Sequence, residues 1–288
     1  MEYFRPATLK EALDFLAAHG EETEIIAGGT DVMVDLREGE LSHKSRLLDV
    51  SRLEELKGIS FDGEKVAVGA GVTLTEINRS QVIAARVPAL QKCSATFAAR
   101  QVRNKATIGG NVAHASPCGD TVPPLVIHDA LCLVADAKGE RLVPVREIAH
   151  GPYRSALPPD ALIVRFILEP CRAGFADFQK IGRRKELAIS RMSLAVMADL
   201  DENGVVTFIR IGLGACTPTP HTMTAVEDFL LGKHLDAELI WEAGRLLSEK
   251  MIEITGRRSS IIYKEPAVRG LLTRILYPLV HQPEGDLS

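Results

Sequence analysis

The sequence predicts an α+β fold in two successive domains, the second smaller than the first. Three observations carry this. At 288 residues the chain exceeds one ordinary domain. Up to a boundary near 171–174, strand-like runs and hairpin turns are interleaved with amphipathic helices. Beyond it, three long strand patterns are followed by three helical ones. These give domains at 1–171, with subdomains at about 1–57 and 58–171, and at 172–288.

A first helix is predicted over 8–19. Thr8 and Glu11 form a capping box, Leu9, Ala12, Leu13 and Leu16 share a face, and Gly20 closes the helix as a C′ residue. A strand over 24–27, a short helix over 32–37 and a strand over 45–50 complete a β-α-β unit. Alternation over 58–69 around Asp62-Gly63 marks a hairpin. Helices follow over 74–80, 82–87, 89–99 and 122–130, the last entered through Pro123-Pro124, which suit a first turn. A second hairpin pairs 131–135 with 141–144. Three prolines make 151–159 a loop, and the apolar run 161–168 is a strand. The second domain starts with strands over 175–181, 190–200 and 205–213, with a turn at Asn203-Gly204. Thr217 to Pro220 is a rigid connector. Helices follow over 224–231, 236–248 and 267–280, and 282–288 is a frayed end. There is no internal repeat.

Composition narrows the function. The chain is 46% apolar and 25% charged, as soluble globular proteins are. A net charge of −4 offers no basic excess for nucleic acid. No run approaches the roughly 18 apolar residues of a membrane span. The start, Met1 to Pro6, lacks the charged and apolar regions of a secretory signal, so a cytoplasmic protein is expected. Cys93, Cys118, Cys132, Cys171 and Cys216 are odd in number and widely spaced. That argues against a disulfide framework, a zinc site or an iron–sulfur cluster in this chain.

Two glycine pairs carry the chemistry. Thr107-Ile108-Gly109-Gly110-Asn111 is followed by Ser116-Pro117 and Asp120. Paired glycines admit positive φ and let successive N–H groups form an anion trap. Thr107, Asn111 and Ser116 add donors for phosphate oxygens, and Asp120 an acceptor for a ribose hydroxyl or a ring N–H. Taken alone, the stretch reads equally as a chain-reversing turn. Ile25-Ile26-Ala27 leads into Gly28-Gly29-Thr30-Asp31-Val32, a buried strand breaking into a second glycine pair. Two such stretches suggest loops converging on one long phosphate-bearing ligand. Neither is a Walker loop or a Rossmann fingerprint, since no Gly-Lys-Ser/Thr follows and the glycines are adjacent.

These residues resemble the FAD-binding medium subunit of the molybdenum hydroxylases, the xanthine dehydrogenase and carbon monoxide dehydrogenase family. Similarity extends to Phe4 to Ala12, Leu48 to Ser51, Val68 to Ile77 and Gly212 to Ala215, and so across nearly the whole chain. The resemblance implies a two-subdomain FAD-binding PCMH-type fold, like that of vanillyl alcohol oxidase and MurB. It also implies a smaller α+β C-terminal domain with a three-stranded sheet and helices.

By the same resemblance, Ile25, Ile26, Ala27, Gly28, Gly29, Thr30, Asp31 and Val32 form the first flavin loop, with backbone amides on the pyrophosphate. Thr107, Ile108, Gly109, Gly110 and Asn111 form the second. Ser116 and Asp120 follow it, Asp120 in contact with the cofactor. Phe97 lies near the flavin, Ile163 packs on the isoalloxazine, and Lys180 reaches the cofactor. The implied role is electron transfer, between iron–sulfur clusters of a 2Fe-2S small subunit and an external carrier: NAD, a quinone or a ferredoxin. A molybdopterin-binding large subunit would handle the organic substrate. No catalytic residue or metal ligand is expected here. Gly28-Gly29-Thr30 weakly disfavours carbon monoxide, whose oxidisers tend to show Gly-Gly-Gln-Ser. Rival readings are a self-sufficient flavin oxidoreductase, for which His114 is the base nearest the loops, and a scaffold that has lost its cofactor. Cys118 reads as a small buried filler. His114 reads as a loop histidine near the adenine or a subunit interface. Arg183, Arg184, Lys185, Arg257 and Arg258 form two basic clusters that face solvent, a partner or a nucleotide phosphate.

Overall fold

The structure, a computed structural model, describes residues 1–183 and 189–280. Arg184, Lys185 and the expected frayed end at 282–288 lie outside the described residues.

The chain opens with β1 (Glu2–Phe4), α1 (Leu9–His19), β2 (Thr23–Ile26), α2 (Val32–Glu38) and β3 (Arg46–Asp49). The strands form a parallel sheet in the order β1-β3-β2, which leaves β2 at an edge. Thr8 caps α1 by accepting from the Glu11 N–H. The Glu11 carboxylate reaches back to the Ala7 N–H at 2.8 Å, one residue before the cap. Gly20 departs from the expected left-handed cap, with φ −55° and ψ −42°. It is needed for a close approach instead: a Cβ there would stand 2.5 Å from the Pro159 carbonyl oxygen.

The middle of the chain has β4 (Ile59–Phe61) and β5 (Val66–Gly69), then a run of short helices. These are α3 (Leu74–Arg79), α4 (Gln81–Arg86), α5 (Pro88–Thr96), α6 (Arg100–Arg103), α7 (Ile108–Ala113) and α8 (Val122–Ile127). Then come β6 (Leu131–Asp136), β7 (Gly139–Pro144), the small ribbon β8 (Ala149–Gly151) and β9 (Arg154–Ser155), and β10 (Leu162–Leu168). The sheet order is β4-β5-β10-β6-β7, antiparallel throughout. Its core joins Val66, Val68 and Phe166 to Leu74, Ile77, Leu90 and Ile108.

The last part has β11 (Phe175–Gly182), β12 (Ser190–Leu200), β13 (Val206–Gly214) and β14 (His221–Thr222). It ends with α9 (Thr224–Leu230), α10 (Ala237–Thr255) and α11 (Ile261–Val280). To the three long strands expected, the structure adds β14 as a two-residue fourth at the edge. Asp236 caps α10 through the Leu239 N–H at 2.7 Å. The start of α11 lies six residues before the expected position, with Pro266 inside the helix. Leu271, Leu272 and Ile275 bury there against Ala243 and Leu247 of α10, and that packing offsets the lost backbone hydrogen bond.

The two parts meet where α5 and α8 press on the last sheet, joining Ala89, Cys93 and Ile127 to Phe178 and Ala195. Glycine makes this contact possible. A Cβ on Gly212 would stand 2.7 Å from the Pro123 carbonyl oxygen, and one on Gly214 2.5 Å from Pro123 Cγ.

Candidate functional site

The first glycine pair forms a turn. After β2 the chain turns at Gly29, whose φ is +71°. Gly28 lies so close to the segment before α7 that a Cβ would stand 1.9 Å from the Lys105 carbonyl oxygen. No side chain fits there. Among the described residues, the backbone N–H groups of Gly28, Gly29, Thr30 and Asp31 make no hydrogen bond. Four adjacent donors without partners favour an anionic acceptor.

The second pair differs from the loop expected. Gly109 and Gly110 lie in the first turn of α7, and neither has positive φ. Thr107 caps the helix, its hydroxyl accepting from Gly110 N–H at 3.1 Å. The neighbouring amides are already engaged: Ile108 donates to Val72, Gly109 to Ala70 and Asn111 to Thr107. Gly109 is there for packing, since its Cβ would lie 2.7 Å from Ala70 Cβ. Gly110 is open, with only Thr107 Oγ1 near, at 3.0 Å. This segment therefore offers side-chain donors rather than a row of amides. Asn111 Oδ1 accepts from Thr121 at 2.6 Å, which aims its amide nitrogen away from Thr121.

A cleft of about 470 Å³ lies between the two segments. That volume falls within the range of small-molecule sites. Ile25, Ala27, Gly28, Gly29, Thr30, Asp31 and Val32 line one side, and Thr107, Gly109, Gly110 and Asn111 another. Phe97 and Ile163 add apolar surface. Phe97 is held from behind: the Arg103 guanidinium donates to the carbonyls of Phe97 and Ala98, both at 2.7 Å, and Ala98 is left-handed at φ +33°.

Five expected residues are not in the lining. Ile26 turns toward the position a Gly29 Cβ would take, and Ile108 is fully buried in the core. Ser116 lines a separate small hollow with Pro117 and Thr217. Asp120 is buried where the two parts meet and accepts from Lys180 at 2.6 Å and from Ser190 at 2.5 Å. Conversely, the structure adds Glu24, Lys44, Gly71, Leu157, Pro158 and Pro159 to the lining. Glu24 directly precedes the stretch 25–32, whereas Lys44, Gly71 and 157–159 carry no local motif, because segments distant in sequence close the cleft. His114 also lines it, with its ring edge-on to Tyr153 at 5.2 Å and Nε2 3.9 Å from Asp31 Oδ1. It spans the two segments.

Residues 1–169 match the family described as FAD binding domain in molybdopterin dehydrogenase, and 177–279 match the CO dehydrogenase flavoprotein C-terminal domain. The chain belongs to the FAD-binding medium subunits of the molybdenum hydroxylases. It is 28% identical to the nicotinate dehydrogenase FAD-subunit of Eubacterium barkeri, over all of this chain and 98% of that one. It is 30% identical to the xanthine dehydrogenase FAD-binding subunit of Escherichia coli O157:H7, over 90% of this chain and 87% of that one. Among solved structures, a chain of carbon monoxide dehydrogenase from Hydrogenophaga pseudoflava superposes with a TM-score of 0.88 at 26% identity, covering 96% of each. One of quinoline 2-oxidoreductase from Pseudomonas putida 86 reaches 0.89 at 26% identity, covering 97% of this chain and 96% of that one.

As a molybdenum hydroxylase flavoprotein subunit, the chain is part of an oxidoreductase, uses FAD and acts with partner subunits. The residues fit that cofactor: four partnerless amides suit a diphosphate, and Gly28 lets their turn lie directly against the Lys105 carbonyl, beside the segment that carries Thr107 and Asn111. Among the described residues, no helix is long and apolar enough to cross a membrane.

Proposed function

We propose that the cleft between residues 28–31 and 107–111 holds FAD, and that the chain passes electrons between a partner's iron–sulfur clusters and an external carrier. The observation that carries this is the row of partnerless amides at 28–31, in residues that line the cleft together with Thr107 and Asn111. These amides would hold the pyrophosphate, with Thr107 and Asn111 adding side-chain donors. Phe97 and Ile163 would bracket the flavin ring, and their apolar surface would keep water from it. When bound, FAD supplies the redox chemistry, accepting and releasing electrons singly or in pairs. The chain's part is to bind and orient it. Asp120 and Lys180 act behind the site, joining the halves of the chain at a boundary we place at 171/172. The carrier we propose is NAD, a quinone or a ferredoxin, and the compartment is the cytoplasm, in keeping with five free cysteines.

The rival, a flavin oxidoreductase complete in one chain, draws on His114 in the cleft lining. Purified alone, the chain should carry a flavin spectrum and turn nothing over. Adding its molybdopterin and iron–sulfur partners should restore reduction of the carrier. Turnover of an organic substrate by the isolated chain overturns the proposal, and so does a colourless protein that FAD cannot reconstitute.

A further inference from the structure

Glu24 lies on β2, four positions before Gly28, and lines the same cleft. Among the described residues β2 pairs only with β3, and Thr23, Glu24 and Ile25 of this edge strand line the cleft. Among the described residues, the Glu24 carboxylate has neither a hydrogen bond nor an ion pair. The nearby Lys44 ammonium donates instead to the Glu21 carbonyl at 2.9 Å. Burial pushes the Glu24 carboxyl up, the Lys44 charge pulls it down, and Asp35 pushes it up again. A half-buried acid without a partner is costly unless something in the cleft donates to it.

We propose that Glu24 is the acceptor for the O–H and N–H donors of the adenosine half of FAD, and so favours FAD over flavins lacking adenosine. This rests on the cleft reading above. With the pyrophosphate on the amides at 28–31 and the ring between Phe97 and Ile163, the adenosine is the part left for the β2 edge. Four residue steps, the first two along β2 and the rest through the bend at 27–28, separate Glu24 from Gly28 by at most about 13 Å, a span that a nucleoside and a glutamate side chain cover together. The donors an adenosine presents are the ribose diol and the adenine amine. A carboxylate accepts from either through charge-assisted hydrogen bonds, as the acid of dinucleotide-binding folds does from a ribose hydroxyl.

The test uses the full chain stripped of flavin, titrated calorimetrically with ADP, 2′-deoxy-ADP and IDP. The wild type should prefer ADP about tenfold over at least one analogue, equivalent to about 1.4 kcal/mol. Glu24→Met should weaken ADP by that factor and erase the preference. Loss of discrimination against 2′-deoxy-ADP assigns the diol, and loss against IDP assigns the amine. Equal ADP binding by wild type and Glu24→Met, or a preference that survives the substitution, overturns the assignment. Gly29→Val separates the two failures. If it loses FAD while Glu24→Met behaves as wild type, only the Glu24 assignment falls. If Gly29→Val keeps FAD at wild-type affinity, the cleft reading falls and takes the assignment with it.

Discussion

Lys180 on β11 closes on Asp120, in the turn before α8, at 2.6 Å, with side-chain exposures of only 12% and 6%. Ser190 on β12 donates to the other carboxylate oxygen at 2.5 Å. Three segments from both parts of the chain are tied at one carboxylate. Removing one partner of a buried pair leaves an uncompensated charge, which costs far more than losing an exposed pair. Lys180→Met should therefore destabilise the protein by about 3 kcal/mol in urea unfolding. In the double variant with Asp120→Asn, much of that loss should return. A single-variant loss within a few tenths of a kcal/mol would mark the pair as solvated. A changed flavin spectrum at full stability would move it to the cofactor.

The glycines separate fold from binding. Gly28→Ala forces a Cβ against the Lys105 carbonyl, where both groups are backbone and cannot swing away. It should lower both melting temperature and flavin content. Gly29→Ala should cost about 1–2 kcal/mol for left-handed backbone. Gly110→Val meets only Thr107 Oγ1, so the fold should hold while the branched side chain fills the cleft. Flavin content equal to wild type in a folded Gly110→Val protein would remove that residue from cofactor contact.

These contrasts also separate what was readable in the sequence from what was not. The turn at Gly28-Gly29 was readable because its requirement is local: a positive φ and a strand that stops. The helical state of 108–113 was not. Two glycines argue against a helix, and only the Thr107 cap and the packing of Gly109 on Ala70 overrule them. Asp120 and Lys180 stand 60 residues apart, and only the docking of β11 beside α5 brings them together. Glu24 reads as an ordinary strand residue until β2 proves to be an edge with a cleft beside it. Pro266 conceals the start of α11, because helix packing outweighs one missing N–H.

Asp49 gives a pH signature. Burial raises its pKa, but hydrogen bonds from Ser51, Tyr3 and Arg5 outweigh that and hold it at about 2. Tyr3 donates at 2.5 Å and Arg5 at 2.9 Å to one oxygen, and the Ser51 amide at 2.9 Å to the other. These bonds fasten β1 to β3, the strand that carries β2. A depressed folded-state pKa adds stability above the unfolded value near 4 and loses it as pH falls toward 2. Wild type should exceed Asp49→Asn by about 1–2 kcal/mol at pH 6, after allowance for solvent screening. The two unfolding curves should converge between about pH 4 and 2. A constant gap across that range would assign the difference to lost shape rather than charge.

The cysteines test the packing of both cores. Burial pushes Cys132 and Cys216 up to about 12 and holds Cys93 well above its ordinary value. Cys118 and Cys171, only half-buried, are raised as well. Since the thiolate is the reactive form, native protein at pH 8 should react with a thiol reagent only at Cys118 and Cys171, and slowly. Cys93, Cys132 and Cys216 should appear only after denaturation. Cys118→Ser should remove one of the two native sites without altering the buried three. Rapid native labelling at Cys93 would mean that the seam between α5 and the last sheet opens readily. The Asp120–Lys180 pair, whose Asp120 carbonyl accepts from that thiol at 3.1 Å, would then be solvated part of the time, and its stabilising effect would shrink to that of a surface pair.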